Sequence, residues 1–174
     1  MSEKNEANTA AKIMYWVLLV ASLPLLVIFF VYINNPDSPA LHSIANITRE
    51  LPANSSSKSP LLSKVMDVYC KSAPFFGLVC FLLSRKHLKT KENKAISYLM
   101  TLAFLYSIFY FIFIHSFLFS PYELTTGGKL LRLMSLNDYF LTFFYISLYA
   151  GIYSFTYLYF LVLFGTYLAV KERR

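Results

Sequence analysis

Hydrophobic positions in this chain fall into four long blocks separated by short polar links, and within each block they keep to no single face. The first block, Ile13 to Ile33, carries no charged residue. As a helix it is long enough to cross the roughly 30 Å of hydrocarbon in a bilayer. Pro24 lies inside it, and a membrane helix tolerates such a proline with a mild kink. The polar residues before it, MSEKNEANTAAK, predict a disordered start. The second block opens at Ser59-Pro60, an N-cap followed by a first-turn proline, and its crossing part covers about 64–84. The third covers 95–119. The fourth, Tyr139 to Val170, is uncharged and would be about 48 Å long as one helix. A tilt within the usual 0–40° does not fit that length into a bilayer, so a break at Gly151 or protrusion on the outer side is predicted. The pattern predicts an all-α membrane protein with four transmembrane helices in two hairpins.

The links give this reading a direction. Between the second and third blocks, residues 85–94 read RKHLKTKENK, with Arg85, Lys86, Lys89, Lys91 and Lys94 against one acid. Such a cluster resists translocation, which places it, and with it both chain termini, in the cytoplasm. The inner segments (1–12, 85–94 and 171–174) hold ten Lys/Arg in 26 residues, and the outer ones, counted with the polar start of the second block (34–71 and 120–138), six in 57. Links 34–63 and 120–138 then face the periplasm. In the first, Ser38-Pro39 starts a helical repeat of Leu41, Ile44, Ala45, Thr48 and Leu51 that Pro52 stops, which predicts a short amphipathic helix on the outer membrane surface. ANSSSKS after it reads as a flexible linker. In the second, TTGG signals a turn, LLRLMSL suits the membrane interface, and Asn137 or Asp138 caps the last helix.

Composition agrees. Of 174 residues 57% are hydrophobic, 18% aromatic and only 14% charged, where soluble domains carry about 25% charged residues. The net charge of +7 sits in the caps of apolar blocks rather than along one face, so no nucleic-acid partner is implied. Cys70 and Cys80 lie about 15 Å apart along one helix and cannot pair with each other. His42, His87 and His115 fall in three separate segments, and Asp67 is the one acid within a block. No catalytic residues, metal ligands or cofactor site are therefore predicted.

Two features remain. Lys64, Asp67 and Lys71 share a narrow arc of the second block, with Asp67 and Lys71 in the favourable i, i+4 order. Lys71 stands about 21 Å from Arg85 along the helix, within hydrocarbon, and Pro74 removes the amide that would bind the Cys70 carbonyl. The pair reads equally as a structural ion pair or as a recognition site. On the fourth block two arcs can be drawn. Ser147, Ala150, Gly151 and Ser154 form a small-residue face suited to packing the protein's own helices, and Tyr145, Tyr149, Tyr153 and Tyr157 form a separate arc suited to a partner.

The stretches KVMDVYCKSAPF (64–75), ELTT (123–126), RLMSLND (132–138) and FYISLY (144–149), with Thr156-Tyr157, resemble the immunity proteins of pore-forming colicins, in the group for colicins A, B and N and nearest the colicin A branch. The resemblance covers nearly the whole chain. It implies a plasmid-encoded, four-span protein of the bacterial inner membrane. It also implies a partner, the pore-forming domain of a cognate colicin with its hydrophobic helical hairpin, bound so that the channel does not open. A small accessory subunit of a transport or secretion complex is the alternative from another class.

Overall fold

A computed structural model describes residues 3–87 and 96–171, with side chains from residue 8 onward. The chain is all-helical among these residues, apart from one isolated parallel bridge between Ser55 and Glu123. Seven α-helices follow in order: α1 (Glu3–Asn34), α2 (Pro39–Ile47), α3 (Pro60–Cys70), α4 (Ala73–Ser84), α5 (Ile96–Ile114), α6 (Lys129–Ser135) and α7 (Asp138–Lys171). Four segments are long and apolar enough to cross a membrane: 8–34 in α1, 60–87 through α3 and α4, 96–119 in α5 with its last turns, and α7. The predicted disordered start is corrected in part, since α1 is already helical from Glu3 and continues through Pro24.

The fourth span is the axis of the bundle. α4 runs parallel to it, with Cys70 just ahead of α4 beside Tyr145, Gly77 beside Tyr153 and Thr156, and Phe81 beside Phe160 and Phe164. α1 runs antiparallel, pairing Phe29 with Tyr139 and Met14 with Tyr153. α5 also runs antiparallel, pairing Phe113 with Phe155, Tyr110 with Tyr159 and Leu99 with Thr166. The core lies where α1, α3, α4 and α7 meet, around Leu25, Met66, Cys70, Tyr145, Tyr149 and Ile152. α5 stands apart from it, and its principal packing partner is α7.

Of the two alternatives for the fourth helix the structure takes the unbroken one, and the continuity expected of the second span is corrected. The fourth helix does not break at Gly151 and runs unbroken from Asp138 to Lys171, because each interior glycine costs a helix only about 1 kcal/mol and the turns around it hold it. At about 51 Å it extends past the span length, and its first turns stand among the loops. The second span is instead the interrupted one. Lys71 and Ser72 separate α3 from α4, and their amides donate to Val68 and Tyr69, three residues back. Pro74 has no amide for the Cys70 carbonyl and its ring obstructs a regular turn, which places the break there.

Candidate functional site

The two loops that share one end of the bundle form a closed polar cap. After α2 the chain turns inward, and Asn54, Ser56 and Ser59 are buried. The Ser55 amide donates to the Tyr122 carbonyl at 2.9 Å, and the Leu124 amide donates to the Ser55 carbonyl at 2.8 Å. Ser56 Oγ donates to the Ser135 carbonyl at 2.8 Å, while its amide donates to Ser63 Oγ at 3.0 Å. Ser59 Oγ donates to Asp138, and Lys58 Nζ to the Leu136 carbonyl. The flexible linker expected here is therefore corrected to a clamped segment. Its short side chains reach backbone and carboxylate groups of the second loop, and nearly every buried polar atom is satisfied.

Glu123 fastens the other edge. Its carboxylate accepts from Ser55 Oγ, from the Ser57 amide and hydroxyl at 3.0 Å each, and from the Thr125 amide and hydroxyl. Desolvation pushes the carboxyl pKa up, but the bonds from Thr125, Ser55 and Ser57 outweigh it and hold the group at about 2, against an ordinary 4.5. The cap closes around the start of α7, where Asn137 Oδ1 accepts from the Tyr139 amide at 2.9 Å and serves as the N-cap.

Beneath the cap lies the ion pair. Lys71 Nζ donates to Asp67 Oδ2 at 2.7 Å, and Asn54 Nδ2 donates to Asp67 Oδ1 at 2.8 Å. The same Asn54 amide reaches the Phe117 carbonyl at 3.2 Å, in the π-helical turn His115–Phe119 that ends the third span. The Asn54 carbonyl accepts from Tyr145 Oη at 2.7 Å. One residue of the supposed linker thus ties three spans together, its side chain joining the second to the third and its backbone carbonyl holding the fourth. Asn54 was not singled out by sequence reasoning, since a polar residue in a serine-rich link carries no signal of its partners.

The two arcs of α7 are reversed from expectation. Tyr145, Tyr149, Tyr153 and Tyr157 are all buried within the protein. Tyr145 donates to Asn54, Tyr153 Oη donates to the Met14 carbonyl at 2.9 Å, and Tyr157 Oη accepts from Ser84 Oγ at 3.4 Å. Tyr149 stacks on Tyr69 with ring centroids 5.5 Å apart, and its hydroxyl, beside Tyr69 and Ser72, makes no hydrogen bond. The small face lies outward. Ser147 is exposed, Ala150, Gly151 and Ser154 are half-buried, and a Cβ on Gly151 would meet nothing within 4 Å. The physical reason is polarity. Hydrocarbon offers a tyrosine hydroxyl no partner, whereas within the bundle the long rings of Tyr145, Tyr153 and Tyr157 bring theirs to Asn54, Met14 and Ser84.

The close helix approach is made by Gly77, which sequence reasoning passed over. A Cβ there would sit 2.8 Å from both the Tyr153 carbonyl and Thr156 Cβ. Of the basic link, Arg85 and Lys86 are exposed in a short 3-10 turn, and Lys89, Lys91 and Lys94 lie outside the described residues. Among the described residues no three His, Cys, Asp or Glu side chains gather to hold a metal ion. Cys70 and Cys80 are both free and buried. The arrangement can hold helices and loops in register and present intramembrane surfaces.

Comparison with known proteins places this architecture. No solved structure matches the chain. The colicin-A immunity protein of Citrobacter freundii is 39% identical over 157 residues, covering 90% of this chain and 86% of that protein. The colicin-B immunity protein of Escherichia coli is 31% identical over 156 residues, covering 90% and 89%. The family model described as colicin immunity protein matches residues 37–174, from just ahead of α2 through all of the cap, the ion pair and α7. This chain, a multi-pass membrane protein, belongs to the colicin immunity protein family.

Proposed function

We propose that this protein protects the cell that makes it by binding the pore-forming domain of its cognate colicin within the inner membrane and preventing the channel from opening. On this reading both termini and the link 85–94 lie in the cytoplasm, and the cap faces the periplasm, from which a colicin arrives. Family membership supports the task. Contact is made by the third and fourth spans. The observation that carries this placement is the position of α5, which rests on α7 and leaves Phe104, Ile108, Phe111 and Ile112 open on its surface. A hydrophobic helix inserted beside α5 gains packing without disturbing the core. In lipid such packing and a few polar contacts decide association, because burial of apolar surface gives no drive there. The four tyrosines, buried against the protein's own helices, are not the contact surface.

The test is expression of this chain alone in a colicin-sensitive strain challenged with a panel of pore-forming colicins. Protection against one member and not the others is expected. An accessory subunit of a transport complex would protect against none. Orientation is tested separately by cysteines at Glu50 and Gly128, both exposed, which an impermeant thiol reagent should label from the periplasm, and at Thr90, which it should not. Labelling at Thr90 would reverse the orientation.

A further inference from the structure

The structure divides the ion pair between two tasks. We infer that Asp67 is a structural group, whereas Lys71 is a specificity contact that donates to an acceptor oxygen on a membrane helix of the bound colicin. The inference rests on the proposed function and names one residue within it.

Asp67 has nothing left to offer. Its side chain is 1% exposed and both oxygens are taken, one by Asn54 and one by Lys71. Lys71 differs in each respect. Its side chain is 18% exposed, and among the described residues Asp67 is its one hydrogen-bond partner, so one of three ammonium N–H groups is used. The neighbouring lysines do not share this condition. Lys58 ends on the Leu136 carbonyl and Lys64 on the carbonyls of Leu51 and Arg49. Both lie nearer the loops, where water can complete their shells. Lys71 lies in the break of the second span, about 21 Å from Arg85, where unmet donors are costly and water is scarce.

Its setting indicates what meets those donors. Val68, Lys71 and Phe75 form an outward ridge of the second span, with Phe75 63% exposed, and Lys71 is the one polar residue among the three. The Lys71 ammonium lies near the end of the third span, because its partner Asp67 shares Asn54 with the Phe117 carbonyl. A helix lying along α5 therefore passes Lys71 at the depth of the break. A carboxylate, amide or hydroxyl oxygen on that helix would complete the ammonium shell, and a helix without one would leave it unmet. Discrimination by an unpaired buried donor is how such a site rejects a wrong partner.

The test compares Lys71→Arg, Lys71→Met and the double variant Asp67→Asn/Lys71→Met, with membrane amount and protective strength measured for each against the colicin that the parent chain neutralises. The double variant removes the buried charge and keeps an Asn54 partner, so normal accumulation is expected. Its protection should fall about threefold to thirtyfold, the range for one interhelical hydrogen bond in lipid. Lys71→Arg, which keeps the donors, should protect near the parent level. Normal accumulation with full protection in the double variant overturns the inference. If the double variant fails to accumulate, a photo-crosslinking residue at Phe75, with Lys71 intact, decides. Crosslinking to the colicin supports the contact, and its absence there, with crosslinking from Phe111 in α5, overturns it. A parent chain that protects against no colicin overturns the proposed function itself, and this inference with it.

Discussion

The two sides of α7 are built from opposite materials. The inward side carries four tyrosines that fill the core and send hydroxyls to Asn54, Met14 and Ser84. The outward side carries exposed Ser147 and half-buried Ala150, Gly151 and Ser154, with open space beside Gly151. The tyrosine rings fill the core, and in hydrocarbon their hydroxyls find partners only within the protein. Close approach is then supplied from the opposite helix, by Gly77 of α4. The difference teaches that this bundle is held by polar pairing and one tight crossing, and that small residues alone do not mark its interior.

The comparison breaks first, and most visibly, at the two glycines. Gly77→Leu drives a side chain into the Tyr153 backbone and Thr156, neither of which can yield, at a cost of about 3 kcal/mol or more. Little inserted protein should be recovered by quantitative blotting of membranes. Gly151→Leu meets nothing within 4 Å and should accumulate normally. Equal loss from both would mean that the outward side is a packing surface after all. Protection by Gly151→Leu then reports whether this side of α7 also meets the colicin.

Tyrosine hydroxyls give the next contrast. Tyr145→Phe leaves the Asn54 carbonyl without its donor, and Tyr153→Phe does the same to Met14. Each should cost about 0.6–2 kcal/mol of stability in detergent melting. Tyr149→Phe removes a buried hydroxyl that has no partner and should be neutral or stabilising. A uniform cost across the three would show that Tyr149 has acquired a partner, such as a water molecule.

The smallest effect is a pH dependence at the cap. Glu123 has its folded pKa depressed from 4.5 to about 2. Its contribution is therefore fully present above about 4.5 and lost as pH falls toward 2. The purified protein should melt at lower temperature over that window, and Glu123→Gln should flatten the slope. An unchanged slope in the variant would assign the acid sensitivity elsewhere.

Much of this architecture was legible along the chain. Four long apolar blocks located the candidate spans, the i, i+4 spacing of Asp67 and Lys71 located their bond, and Ser38-Pro39 announced α2. What escaped was decided by partners far away in sequence. PANSSSKS has the composition of a free linker, and it is clamped only because Tyr122, Glu123, Ser135 and Asp138 arrive opposite it. Gly77 is a lone glycine in an apolar run, so nothing local distinguishes it from a tolerated one. The sides of α7 were misassigned because the partners of the tyrosine hydroxyls, Asn54, Met14 and Ser84, lie far away in sequence and carry no local signal.

The central claim is that a colicin is met inside the membrane, on the α5 side, and that the polar cap holds the bundle together. Photo-crosslinking residues placed one at a time at Phe111 on α5, Trp16 on α1 and Glu50 beyond α2, all exposed, test it in cells challenged with the neutralised colicin. The account predicts an adduct with the pore-forming domain from Phe111 and none from Trp16 or Glu50. Adducts from Glu50 alone, with Phe111 silent, would contradict it and place recognition in the loops.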